Sequence, residues 1–125
     1  MFDKKKKGVP KLETPILPPK KRTMKKTIYI AGKVTGLPME EVVTKFEAAE
    51  QKLIQDGYEV VNPLKVVDNF EATWNDAMRK CIIALMGCDE IFLLPDWGDS
   101  KGAKVEYALA YNLKMKMKMD VMQVI

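Results

Sequence analysis

From Thr27 onward the apolar residues switch between two spacings. TIYIAGKVTG, Thr27 to Gly36, begins as a short β-branched and aromatic run and closes on Gly32 and Gly36, predicting a strand followed by a glycine-flanked loop. Past Pro38, Val42, Val43, Phe46, Ala49, Leu53 and Ile54 recur at three- and four-residue steps. Glu40, Glu41, Glu47, Glu50 and Lys52 fall elsewhere, so the segment reads as an amphipathic helix, stopped by Asp56-Gly57. Tyr58 to Val61 is a second strand. It ends at Asn62-Pro63, because the residue before a proline is held out of the helical region.

Leu64 to Ala72 has weak periodicity and reads as a loop or a short helical turn. Thr73 is an N-cap for a helix through Met86 with Trp74, Ala77, Met78, Cys81, Ile82 and Leu85 on its buried side, closed by Gly87. Ile91 to Leu94 is a buried strand that Pro95 ends, with acidic Asp96 and Asp99 following. Ser100 caps the next helix, whose Gly102, Glu106, Leu109 and Ala110 share one side. KMKMKM then alternates with period two. It predicts an edge strand with Met115, Met117 and Met119 on one face and Lys114, Lys116 and Lys118 on the other, which residues 121–125 extend or leave to pack on a neighbouring subunit.

The order β-α-β-α-β-α-β with short connections implies a four- to five-stranded parallel sheet with helices on both faces, an α/β three-layer sandwich of flavodoxin or Rossmann type. Residues 25–125 form that one domain. Residues 1–24, with Pro10, Pro15, Pro18 and Pro19 among lysines, have the composition of a disordered basic arm.

Charge changes the picture only in its distribution. Residues 1–26 hold ten Lys or Arg against Asp3 and Glu13, a net of +8, so the overall +4 leaves the body at −4. The basic arm is a solvated leader, with a salt-sensitive contact to nucleic acid as the sharper alternative. No apolar run approaches the roughly 18 residues of a membrane span, so no membrane contact is expected. Cys81 and Cys88 lie about 10 Å apart along a helix and its exit, too far for a disulfide, which suits reduced thiols and a cytoplasmic setting.

In an open parallel sheet, ligands bind beyond the carboxyl ends of the strands. That rim gathers the loop with Gly32, Lys33, Thr35 and Gly36, the turn at Asn62, and the loop from Asp96 through Trp97 to Ser100. The first amides of the last helix, at Lys101 to Ala103, suit an anion. The absence of histidine excludes a histidine-based triad, and without a cysteine cluster a zinc site is not expected; no cofactor is implied. Carboxylate chemistry is left. Glu106 can attack an anomeric carbon and Asp99 can carry the proton, provided the two lie close together. Taken one at a time, the same residues have plainer roles: a glutamate on a helix is commonly a solvated surface group, Trp74 and Trp97 packing residues, and Tyr29 core.

Four blocks occur in order: IYIAG-x-x-TGLP, GYEVVNP, W-x-x-x-M-R, and CD-x-I-x-LLP-x-W-x-x-S-x-GA-x-x-E-x-x-x-A. Together they resemble the nucleoside 2-deoxyribosyltransferase superfamily, in its small bacterial and phage branch, over Thr27 to about Leu113. The resemblance implies that Glu106 is the nucleophile on the sugar C1′, that Tyr29 orients it, and that an acid at or near Asp99 handles the proton at the base. It places Gly32 beside the ligand and implies that Ser100, Gly102 and Ala103 hold a phosphate where the substrate is a nucleotide. A nucleoside or nucleotide is thus the expected small-molecule partner, bound by a homo-oligomer in which a C-terminal group such as Gln123 completes a neighbour's site. The expected activity is transfer or hydrolysis at the N-glycosidic bond, and the alternative is a nucleotide-binding or sensing module without turnover. Two residues depart from the pattern: Cys81 stands where an aspartate is usual, and Lys33 where a proline is usual.

Overall fold

Four consecutive apolar residues, Ile28 to Ala31, are fully buried, and that run belongs at the centre of a sheet covered on both faces. The computed structural model describes residues 25–69 and 71–120. It contains β1 (Thr27–Ala31), α1 (Met39–Gln55), β2 (Glu59–Val61), a short α2 (Pro63–Val66), α3 (Trp74–Met86), β3 (Glu90–Leu93), α4 (Lys101–Asn112) and β4 (Lys116–Met119). The four strands form one parallel sheet in the order β2-β1-β3-β4. Tyr29 pairs with Val61 on one side and Ile91 on the other.

Alternation along β1 and β3 divides the core in two. Ile28, Ile30, Phe92 and Leu94 pack against Val42, Phe46, Ala49 and Leu53 of α1. Tyr29, Ala31, Ile91 and Leu93 pack against Cys81 and Leu85 of α3 and Ala103 and Ala110 of α4. The fold is therefore the expected α/β three-layer, Rossmann-like sandwich. The chain leaves β1 for β2 on one side and returns for β3 on the other, so the loops after β1 and β3 diverge and open a crevice between them.

The predicted stops and caps are present. Gly57 takes φ +98, a left-handed position that ends α1. Thr73 Oγ1 accepts the Asp76 N–H at 3.1 Å, and Asn62 Oδ1 accepts the Leu64 N–H at 3.0 Å. β4 is an edge strand, with Met115 and Met117 turned to the core. Met119 is 54% exposed, and Lys114 precedes the strand in a left-handed turn.

Periodicity alone misplaces several side chains. Trp74, assigned to the buried side of its helix, is 39% exposed, and Val43 and Ile54 also reach the surface. Glu50 is buried, held by Asn62 Nδ2 at 3.0 Å and Lys65 Nζ at 3.1 Å, and Glu90 is buried beneath the Tyr58 hydroxyl at 2.8 Å. Both carboxylates are satisfied by partners from another element, which a local pattern cannot register. The expected basic arm, residues 1–24, and the expected roles of residues 121–125, Gln123 included, lie outside the described residues. Among the described residues no helix is long and apolar enough to cross a membrane.

Candidate functional site at the strand crevice

The crevice begins where β1 and β3 stop pairing. Leu94 N–H donates to the Ala31 carbonyl at 2.9 Å, and Gly32 follows at once. A Cβ on Gly32 would lie 2.5 Å from Leu94 Cδ1, so a glycine is what lets the two loops pass this closely before they part. Beyond that point lies a cavity of about 810 Å³. Its walls are the Gly32–Thr35 loop, α2, one face of α3 and the first turn of α4, and Tyr29 and Glu106 line it from the core.

Glu106 is buried, 5% exposed, and the Tyr29 hydroxyl donates to its Oε2 at 2.7 Å. Burial pushes the Glu106 carboxyl up to about 7, against the opposing pull of the Tyr29 hydrogen bond. Tyr29 itself is driven well above the ordinary phenol range, by burial first and by the neighbouring Glu106 charge second. It therefore stays a phenol and a constant donor. Cys81, also buried and lining the cavity, has its thiol raised by burial and is uncharged at neutral pH. It cannot do the work of a carboxylate in moving a proton.

The first turn of the same helix that carries Glu106 favours an anion. Ser100 Oγ caps α4 by accepting the Ala103 N–H at 3.1 Å, while the amides of the first helical turn have no intrahelical carbonyl. Lys33 and Lys101 line the same space, and Lys101 Nζ sits 4.3 Å from the ring centroid of Trp74 at the rim. Gly102 allows α3 to approach, since a Cβ there would meet Met78 Sδ at 2.9 Å. Asp99 lines the cavity from an exposed position, so the two acids proposed as a pair occupy unlike environments.

The structure thus brings Tyr29, Gly32, Lys33, Asp99, Ser100, Gly102, Ala103 and Glu106 around one space. Asn62 and Trp97 are not among the residues that line it. Asn62 is buried and its side chain is used in capping α2 and holding Glu50. Trp97 stacks on Tyr107 at 4.5 Å, and Tyr107 in turn on Tyr111 at 6.0 Å. Sequence reasoning missed Lys45 and the Asp96 carboxylate. Lys45 Nζ donates to the Lys33 carbonyl at 2.6 Å and to Asp96 Oδ2, and Asp96 Oδ1 accepts the Lys33 N–H at 3.0 Å. Sixty-three positions separate Lys33 from Asp96, and only the parallel pairing of β1 with β3 joins them.

Fold and site together define a parallel α/β protein with a buried carboxylate and a helix N-terminus facing one cavity at the point where strand order reverses. The chain belongs to the family described as a domain of unknown function, DUF4406, whose model matches residues 26–119. No curated protein matches the chain.

Proposed function

We propose that this protein acts on the N-glycosidic bond of a nucleoside or nucleotide, by transfer or hydrolysis, with Glu106 as nucleophile. The observation that carries the reading is the buried Glu106 carboxyl, held through Oε2 by Tyr29 and lining a cavity of about 810 Å³, large enough for a nucleotide. The resemblance of its sequence blocks to the nucleoside 2-deoxyribosyltransferase superfamily supports the same assignment.

With Oε2 engaged, Oε1 is the oxygen for attack on C1′. The C1′–Oε1 bond forms as the C1′–N bond breaks, the electron pair leaves with the base, and Asp99 at the rim delivers the proton that nitrogen needs. A second base nitrogen, or water, then displaces Glu106 from C1′ and loses its proton to the same acid. The Ser100–Ala103 turn, with Lys33 and Lys101, takes a phosphate when the substrate carries one. Free Cys81 and Cys88 suit a cytoplasmic protein, and exposed Ile83, Tyr111 and Leu113 suit the homo-oligomer expected from the resemblance.

Cys81 favours a second reading, a module that binds a nucleotide without turning it over, because a neutral thiol lines the cavity where an acid is usual in the resembling family. One experiment separates the two. Purified protein is offered deoxynucleosides, deoxynucleotides and free bases, with binding by calorimetry and base release or exchange by chromatography. Turnover that Glu106→Ala abolishes is the expected result. Binding without turnover supports the second reading, and turnover that survives Glu106→Ala eliminates the proposed nucleophile.

A further inference from the structure

We propose that Asp96 and Lys45 are positioning residues that set the spacing of the two loops bounding the cavity. Three hydrogen bonds define the device. The Lys33 N–H donates to Asp96 Oδ1 at 3.0 Å, Lys45 Nζ donates to the Lys33 carbonyl at 2.6 Å, and Lys45 Nζ pairs with Asp96 Oδ2. Both peptide groups flanking Lys33 are therefore engaged, one by the loop after β3 and the other by α1. A residue held through its N–H and its carbonyl has little freedom to swing, and Gly32, Lys33, Val34 and Thr35 all line the cavity.

Asp96 also acts in the other direction. Its own carbonyl accepts the Asp99 N–H at 3.0 Å in the tight turn Trp97–Asp99, and Ser100, the cap of α4, comes next. The side chain of Asp96 grips one wall while its backbone carries the start of the other. Lys45 braces the joint from the far layer of the sandwich, the layer that otherwise contributes little to the site. The pair is only partly buried, with side-chain exposures of 20% for Lys45 and 29% for Asp96, so it is a weak contributor to global stability and a well-placed one for local geometry. Neither side chain is needed for the proposed chemistry, and neither lines the cavity.

As a statement about ligand geometry this rests on the proposed function, so its test has one arm that does not. Amide hydrogen exchange is measured by NMR on the free full-length parent and on Asp96→Ala, Lys45→Met and Lys45→Arg. In Asp96→Ala the acceptor of the Asp99 N–H is untouched, yet its exchange should accelerate at least about tenfold, with the β1 amides unchanged. Lys45→Met should accelerate the Lys33 amide by a similar factor although the Asp96 carboxylate remains, and Lys45→Arg, which can still donate twice, should restore protection. The second arm titrates the four 2′-deoxynucleoside 5′-monophosphates, and Kd for whichever binds the parent should rise at least about tenfold in Asp96→Ala and Lys45→Met and return in Lys45→Arg.

Unchanged Asp99 exchange in Asp96→Ala overturns the device, as does unchanged Lys33 exchange in Lys45→Met. Accelerated exchange with Kd within about twofold of the parent overturns its role in holding ligand. A parent that binds none of the four nucleotides counts against the nucleotide form of the proposed function, and the exchange arm then decides the spacing device alone. Should Asp96→Ala fail to fold, Lys45→Met and its Arg rescue carry both arms.

Discussion

Replacing Glu106 by Gln keeps the shape of the side chain and an acceptor for the Tyr29 hydroxyl, but removes the charge. Burial holds the carboxyl at about 7 in the folded protein, against an ordinary value of 4.5. Between those two values the unfolded chain ionises Glu106 while the folded protein keeps it protonated. The folded state then binds more protons, so its stability falls as pH rises. The contribution is fully present below pH 4.5, shrinks through the interval and is gone above about 7. An interval of about 2.5 pH units at 1.36 kcal/mol each gives about 3 kcal/mol, a large fraction of the ~5–15 kcal/mol that holds a domain together. The Gln variant has no such loss. Urea denaturation of parent and variant at several values from about pH 4 to 8.5 measures the difference directly, because groups that titrate alike in both proteins cancel. Glu106→Gln should gain on the parent by about 3 kcal/mol across that range, with most of the gain complete near pH 7. A difference independent of pH, or one that shrinks as pH rises, would refute burial as the force controlling Glu106. The same ionisation would supply the proposed nucleophile, so the turnover proposed above should rise with pH through about 7.

Two further predictions concern the support of that carboxyl and the close approach of the two loops at the crevice. Tyr29→Phe removes the hydroxyl that favours the charged form, so the Glu106 midpoint should move up from about 7 by roughly one pH unit, read by NMR titration of the side-chain carboxyl carbon; a midpoint that stays or falls breaks the link. Gly32→Ala would place a methyl 2.5 Å from Leu94 Cδ1 and 3.0 Å from Leu94 Cβ, so overpacking should cost about 1–3 kcal/mol and lower Tm by roughly 10 °C in calorimetry; a loss under about 2 °C would show that the loop has room.

The elements were legible where local signals were strong. Thr73 and Ser100 announced their helices as hydroxyl caps, Gly57 ended one, and the alternation at the C-terminal side gave β4 its edge position. The rim of the site followed, because the crevice of a parallel sheet is fixed by topology once the strands are placed. Asn62 was legible as a turn residue but not as a buried one, since its use by Glu50 depends on how α1 lies over β2. Trp97 was placed at the rim by its position in the loop, whereas the turn carries its ring onto Tyr107, in the packing role that is commoner for tryptophan. The Lys45–Asp96–Lys33 contacts were illegible for a related reason: each residue looks like an ordinary surface charge until three separate elements bring them together.

The raised carboxyl of Glu106 has its origin in small side chains rather than in other charges. On α4, Ala103 and Ala110 are buried against the sheet, and Gly102 permits contact with Met78 of α3. Where Ala103 and Ala110 meet the sheet the helix lies close to it, and Glu106, between them, is carried inward. Desolvation follows from that approach, and it is the dominant cause of the raised carboxyl. Larger residues at these positions would hold α4 away, admit water beside Glu106 and let its ionisation fall toward the ordinary range. The loss of stability above pH 4.5 and the poising of a carboxyl near neutrality are then two consequences of one packing arrangement, which is why a substitution that relieves the first should also remove the second.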